Sequence, residues 1–281
     1  MVRGIFTGLV LMCVACGPSG GGSGGSGGGS GGAGGSGGSG GAGGSGGTGG
    51  SGGSAFFGAV YAHSADTLYK VDPDTLAVTM VGPFVWSTGT DQMTDIALDR
   101  TGNMIGVSFT KVYAVDKMTA HATFLANLST QFNGLSFIPP AGPDPNLPEK
   151  LVGTTLDGSV WEINPMTGAS TQFGAYGGDL TSSGDLVSVA GFGTVATVKH
   201  GTTGNDFLAR VDPTTGVATV IGDTGFQNIW GVGFWKGRVY GFTDGMQFVL
   251  IDPNTGVATL QQASNVMWWG AGVTTSAPIV P

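Results

Sequence analysis

Five stretches of this chain carry one phrase. They read LYKVDPDTLAVTMVG from Leu68, VYAVDKMTAHATFLA from Val112, VWEINPMTGASTQFG from Val160, LARVDPTTGVATVIG from Leu208 and FVLIDPNTGVATLQQ from Phe248. Their shared acidic or amide positions, Asp72, Asp116, Asn164, Asp212 and Asp252, lie 44, 48, 48 and 40 residues apart. A period of that length built from short strands means radial repetition of a four-stranded sheet. The chain is therefore predicted to be all-β, a single five-bladed β-propeller, with six blades as the structural alternative.

Each phrase reads as two strands and their turn. In VDPTTGVATVIG, Asp212 can accept hydrogen bonds from backbone N–H groups just ahead, and Pro213 pre-sets φ for the first corner. Gly216 supplies a left-handed residue, after which Val217–Ile221 has the small and β-branched composition of a packed strand. Gly168 and Gly256 share that slot, whereas Leu76 and Ala120 stand there in the first two phrases, so those two turns are expected to differ in detail. A turn cap accounts for both the Pro and the Gly, which makes it the better reading of the recurrent Asp than a metal ligand.

The rest of each blade lies upstream of its phrase. Thr94–Asp99 with Met104–Phe109, Asn133–Ile138 with Leu151–Thr155, and Ile229–Trp235 with Arg238–Thr243 read as strand pairs. The second pair is separated by a Pro-rich insert, Pro139–Lys150. In the fourth blade, Asp179–Ser182 is expected to turn at Ser183-Gly184-Asp185 into Leu186–Ala190. The first phrase is preceded by one strand, Phe56–His63, and the last is followed by one, Met267–Thr274. The simplest resolution makes Trp268–Val273 the missing inner strand of the first blade, so that both chain ends close the ring and remove its free edges. Residues 55–276 then form the propeller and 277–281 a short tail.

Upstream lies an address. Arg3 precedes an apolar run through Ala15 that is too short to span a bilayer and fits a signal-peptide core. The run ends in Val14-Ala15-Cys16-Gly17, which resembles the bacterial lipoprotein signal, in which a small residue precedes a Cys that becomes lipidated. Cys13 stands where that family usually has Leu. The resemblance implies a signal over residues 1–15, lipid attachment at Cys16 and partnership with an envelope membrane, the outer one. Residues 16–54 follow as a tether of Gly and Ser, in which nothing can bury enough surface to offset backbone entropy. Both cysteines of the chain fall in this leader, so no disulfide framework is expected in the propeller.

Composition narrows the chemistry. Asp plus Glu number 18 against 10 Lys plus Arg, and the cations are scattered singly, so there is no basic stripe for nucleic acid. The three histidines, His63, His121 and His200, fall in separate blades without metal-ligand spacing. The two glutamates are Glu149, in the insert, and Glu162, and neither lies on an inner strand. Glycoside cleavage wants a carboxylic acid facing a second carboxylate, a role an Asp pair would have to fill. No GxSxG elbow appears.

One set of residues points to binding. With the inner strands aligned by the apolar residues after them, Asp95, Asn133, Asp179, Trp230 and Trp269 occupy equivalent positions and are expected to ring one channel mouth. Such a ring could hold a sugar by stacking and hydrogen bonds, or a hydrated Ca²⁺. The competing reading makes the polar residues strand caps and the indoles plugs.

The pattern DxLYxVDPxTGxAT, with TDIALDRTGN at Thr94–Asn103, resembles the bacterial YVTN/NHL-like propeller repeats of exported and surface proteins. Lys117-Met118 and Asn164 depart from its Asp-Pro form. The resemblance implies fold and location more than activity. The expected protein is a monomeric, surface-tethered, non-catalytic binding or scaffolding propeller for a glycan or protein ligand, without a resident cofactor. The alternative is an envelope hydrolase or lyase working in the channel.

Overall fold

The computed structural model describes residues 59–140 and 147–280, so the signal segment, Cys16 and the tether lie outside the described residues. Blade one holds β1 (Val60–His63), β2 (Thr67–Val71) and β3 (Val78–Pro83), after which β4 (Val85–Trp86) crosses to the next blade. Blade two holds β5 (Met93–Leu98), β6 (Met104–Ser108), β7 (Lys111–Val115) and β8 (His121–Asn127). Blade three holds β9 (Gly134–Ile138), β10 (Lys150–Thr154), β11 (Ser159–Ile163) and β12 (Ser170–Ala175). Blade four holds β13 (Leu180–Val189), β14 (Gly193–His200), β15 (Phe207–Val211) and β16 (Ala218–Asp223). Blade five holds β17 (Ile229–Trp235), β18 (Arg238–Thr243), β19 (Gln247–Ile251) and β20 (Ala258–Ala263), and β21 (Gly270–Gly272) ends the series.

The strand β21 pairs antiparallel with β1 and is the innermost strand of blade one. The inner strands β5, β9, β13, β17 and β21 adjoin one another in a closed ring, so the fold is a five-bladed β-propeller. At the outer edge, β4 leaves blade one and pairs parallel with β8 of blade two, tying these consecutive blades together.

All five turns of the repeated phrase share one geometry. The side-chain oxygens of Asp72, Asp116, Asn164, Asp212 and Asp252 accept from the backbone N–H two residues ahead, at 2.7–3.0 Å. The fifth residue is left-handed in every case, including Leu76 at φ 60° and Ala120 at φ 57°. The expected difference in the first two turns is therefore absent. Their side chains are tolerated because each is absorbed by the preceding blade: Ala120 is buried and Leu76 packs on the core that contains Trp235 and Tyr240. In the turn from β17 to β18, Lys236 and Gly237 both have positive φ (48° and 77°), as a two-residue hairpin with right-handed strand twist requires.

Blade four corrects the sequence reading. Ser183-Gly184-Asp185 is no turn but an irregularity inside the ten-residue inner strand β13, which runs on through Val189, and the second strand is β14 rather than Leu186–Ala190. Local turn chemistry loses here because Gly184 lies against the backbone of Ile229 and Trp230 in the next inner strand, where a side chain would not fit. The core is inter-blade: one cluster joins Phe242, Phe248 and Trp268 across blades five and one, and others fill the remaining seams. The Pro-rich insert returns at Glu149, whose carboxylate accepts from Thr275 Oγ1 at 2.5 Å and Arg100 N at 2.8 Å, at the end of the ring opposite the mouth.

Candidate functional site

Strand register sorts the axis residues into levels. The cross-strand pairs Ala62–Ala271, Gly106–Ile96, Gly153–Leu135, Ala196–Leu186 and Gly241–Val232 are equivalent in the five blades. The residues before them, Gly270, Asp95, Gly134, Asp185 and Gly231, therefore form one level. Trp269, Thr94, Asn133, Gly184 and Trp230 form the level above it. The predicted ring is thus split: Asn133, Trp230 and Trp269 share a level, and Asp95 lies one residue deeper. Asp179 belongs to neither, being exposed at the start of β13 with its carboxylate 3.0 Å from His200 Nδ1.

The deeper level holds a buried pair of carboxyls. Asp95 and Asp185 are both completely buried. Asp185 accepts from the N–H groups of Leu186 (2.6 Å), Val232 (2.8 Å) and Leu135 (3.3 Å), tying three inner strands to one carboxylate. Asp95 Oδ1 accepts from Ile96 N at 2.8 Å, while Oδ2 has no separate donor. Burial, then the Asp185 charge, hold Asp95 well above the usual carboxylate range, and burial pushes Asp185 up to about 8. His63 Nδ1 donates to Ser64 O at 2.8 Å, leaving Nε2 3.8 Å from Asp95 Oδ1, and burial lowers this imidazole to about 4.

These shifts set a pH dependence. Folded Asp185, like Asp95, retains a proton that the unfolded chain has released above pH ~4, so the stability this contributes is complete below that pH and lost as pH rises through about 8. His63, buried neutral, acts oppositely, lowering stability as pH falls from 6.5 towards about 4. Between those limits the two offset each other, and above pH 6.5 only the pair remains. The unfolding free energy from urea titrations should fall from pH 6.5 to 8 by roughly 1 kcal/mol per pH unit, and Asp95→Asn, which removes one of the two carboxyls and offers Asp185 an amide donor, should flatten the slope. A wild-type stability that is level across this window would contradict protonated carboxyls at the axis.

The upper level lines a cavity of about 350 Å³. Irregular pairing at Thr94 in β5 and at Trp230 in β17 displaces both residues from the ladder, the usual way a bulge re-aims a side chain. Trp269 stands just before β21, held by its N–H to His63 O at 2.8 Å. Asn133, just before β9, donates its amide to Ser182 Oγ and Gly184 O, both at 3.1 Å. Phe132 and Phe109 complete the aromatic wall, with the Phe109 and Trp269 rings edge-to-face at 6.1 Å. At the rim, Phe109, Leu156 and Met267 are 41%, 62% and 50% exposed, an apolar cluster of the kind that marks a contact site.

One carboxylate reaches the lining, that of Asp244. It accepts from Asn228 Nδ2 at 3.1 Å, and Asn228 Oδ1 accepts from Lys199 Nζ at 2.6 Å. Lys199 also lies 3.4 Å from the buried Asp206. Calcium takes six to eight oxygen ligands, which a wall with one carboxylate does not offer, so Ca²⁺ has no part in our reading. Asp185, Asp244 and Phe132 escaped the sequence reading. Asp185 reads as a turn residue of Ser183-Gly184-Asp185, and an alignment by glycines would misplace it by one, since Gly184 stands a level above Gly134, Gly231 and Gly270.

No family model matches this sequence, and no curated protein matches it. Among solved structures, the chain is similar to an auxiliary nutrient binding protein from Bacteroides ovatus (16% identity over 71% of this chain and 53% of that one, TM-score 0.43). It is also similar to one from Bacteroides thetaiotaomicron (13% identity, 72% and 54%, TM-score 0.43) and to an oligogalacturonate lyase in complex with manganese (11% identity, 72% and 61%, TM-score 0.38). The chain spans about half the length of the two nutrient binding proteins. Similarity of this order leaves the ligand to the chain's own residues.

Proposed function

We propose that this chain is a non-catalytic binding propeller, tethered to the bacterial envelope through Cys16, whose ligand seat is the aromatic cavity at the axis mouth. One observation carries the reading: Asn133, Trp230 and Trp269, brought from three blades, line one concave apolar cavity together with Asp244. Concave, mostly apolar lining with a few convergent polar groups is the ordinary form of a small-molecule site. A channel hydrolase would need carboxylates that substrate can reach, and the pair at the axis, Asp95 and Asp185, is completely buried. Tethering, the outer-membrane location and the kinship with YVTN/NHL-like repeats rest on the leader and the repeated phrase. Radiolabelled palmitate should enter the wild type and not Cys16→Ser; equal labelling of both would end the tethering claim.

The binding reading is tested by indole fluorescence against a glycan and metabolite panel. At least one compound should quench or shift emission saturably, and Trp269→Ala and Trp230→Ala should each weaken that response by about tenfold. If no compound responds while the variants merely melt earlier, the two indoles are packing residues.

A further inference from the structure

Building on that binding site, we infer that the cavity selects a small organic cation, an alkyl- or arylammonium group, seated against its aromatic wall with Asp244 as counter-charge. The hydrogen-bonding inventory points there first. Thr94 Oγ1 spends its proton on Val107 O at 3.0 Å. The Asn133 amide donates away from the cavity, to Ser182 and Gly184, and its Oδ1 has no partner. The Asp244 carboxylate accepts from Asn228 Nδ2. The charged acceptor of the wall is Asp244, its donors are the indole N–H groups of Trp230 and Trp269, and no Lys or Arg lines it to receive an anion.

Charge points the same way. Among the described residues Asp244 has no ion-pair partner; its carboxylate is held by the Asn228 amide. The neighbouring cation, Lys199, is drawn off to buried Asp206 and to Asn228 Oδ1. The whole chain carries a net charge of −8. Four rings, Trp230, Trp269, Phe109 and Phe132, supply negative π-faces. An ammonium group bearing carbon substituents is attracted to such faces, is weakly hydrated and needs few donors of its own. A volume near 350 Å³ lies at the small end of ligand pockets, suiting a free metabolite-sized cation.

The test uses the intact propeller and four probes, followed by calorimetry and indole emission: choline, phenethyltrimethylammonium, the uncharged isostere 3,3-dimethylbutanol, and galactose. The ammonium probes should bind at least about tenfold tighter than the isostere. Asp244→Asn should weaken them by about tenfold while leaving the isostere unchanged, and raised salt should act on the wild type as the substitution does. Equal binding of isostere and ammonium, or galactose binding alone, overturns the cation assignment and leaves a cavity that binds. Failure of every probe on a protein with an unaltered melt overturns the assignment, and failure of the wider glycan and metabolite panel in the same experiment removes the binding reading as well.

Discussion

A chain ending at Val266 is expected to lose cooperative folding altogether. The deleted residues include Trp268, which is fully buried between Tyr69 and Phe242 at ring distances of 5.1 and 5.3 Å. Truncating a buried Trp alone costs about 3–5 kcal/mol, a large part of the 5–15 kcal/mol that separates a typical domain from its unfolded state. The deletion also removes β21, opening β1 as an unpaired inner edge. Further along, Thr275 O accepts from Ala190 N at 2.8 Å and Pro278 O from Lys236 N at 2.7 Å, so the last residues brace blades four and five as well. Gel filtration should show aggregates and far-ultraviolet dichroism a broad, non-cooperative melt. A monomer melting sharply would show that the ring closes without its C-terminal strand. The milder variant Trp268→Ala should remain folded and melt many degrees lower.

The second large effect concerns the axis glycines. A Cβ at Gly231 would lie 2.5 Å from the carbonyl carbon of Gly270, and one at Gly270 would collide with Asp95 Oδ1 and His63 Nε2. In the first case the obstacle is backbone, and in the second it is two completely buried side chains held by hydrogen bonds. Neither can give way, so Gly231→Ala and Gly270→Ala should each destabilise by about 3 kcal/mol or more, at the upper end for overpacking. Gly82 is the control: on β3 at the outer edge of blade one it has nothing within 4 Å of an added Cβ, and Gly82→Ala should shift stability by less than about 1 kcal/mol. Chemical denaturation of the three variants checks the ranking. Equal effects at all three positions would mean that the inner strands can move apart, and that the register of the levels is not enforced by contact.

The same crowding explains what could and could not be read from the chain. The repeated phrase is local: Asp212, Gly216 and the strand behind them act on one another within a few residues, so their recurrence announces five blades whatever the surroundings. The surplus strand at Trp268–Val273 and the deficit at Phe56–His63 lead by counting to β21 beside β1. Even Leu76 and Ala120, which break the glycine rule, take the same left-handed turn because the preceding blade accommodates their side chains.

Which residue stands at which height along the axis is a different matter. It depends on inner strands separated by 40 or more residues, on bulges at Thr94 and Trp230, and on the three N–H groups that Asp185 gathers from β9, β13 and β17. No local signal distinguishes Thr94 from Asp95 as the mouth residue, because a slip of one position exchanges them. Ser183-Gly184-Asp185 carries strong turn chemistry and yet continues a strand, since the close approach to Ile229 and the hydrogen bonds of Asp185 outweigh it. Blade count and ring closure are thus written in short-range patterns that any copy of the phrase carries by itself. Contacts between distant strands alone decided that two aspartates lie buried beneath a cavity lined by Trp230, Trp269 and Asp244.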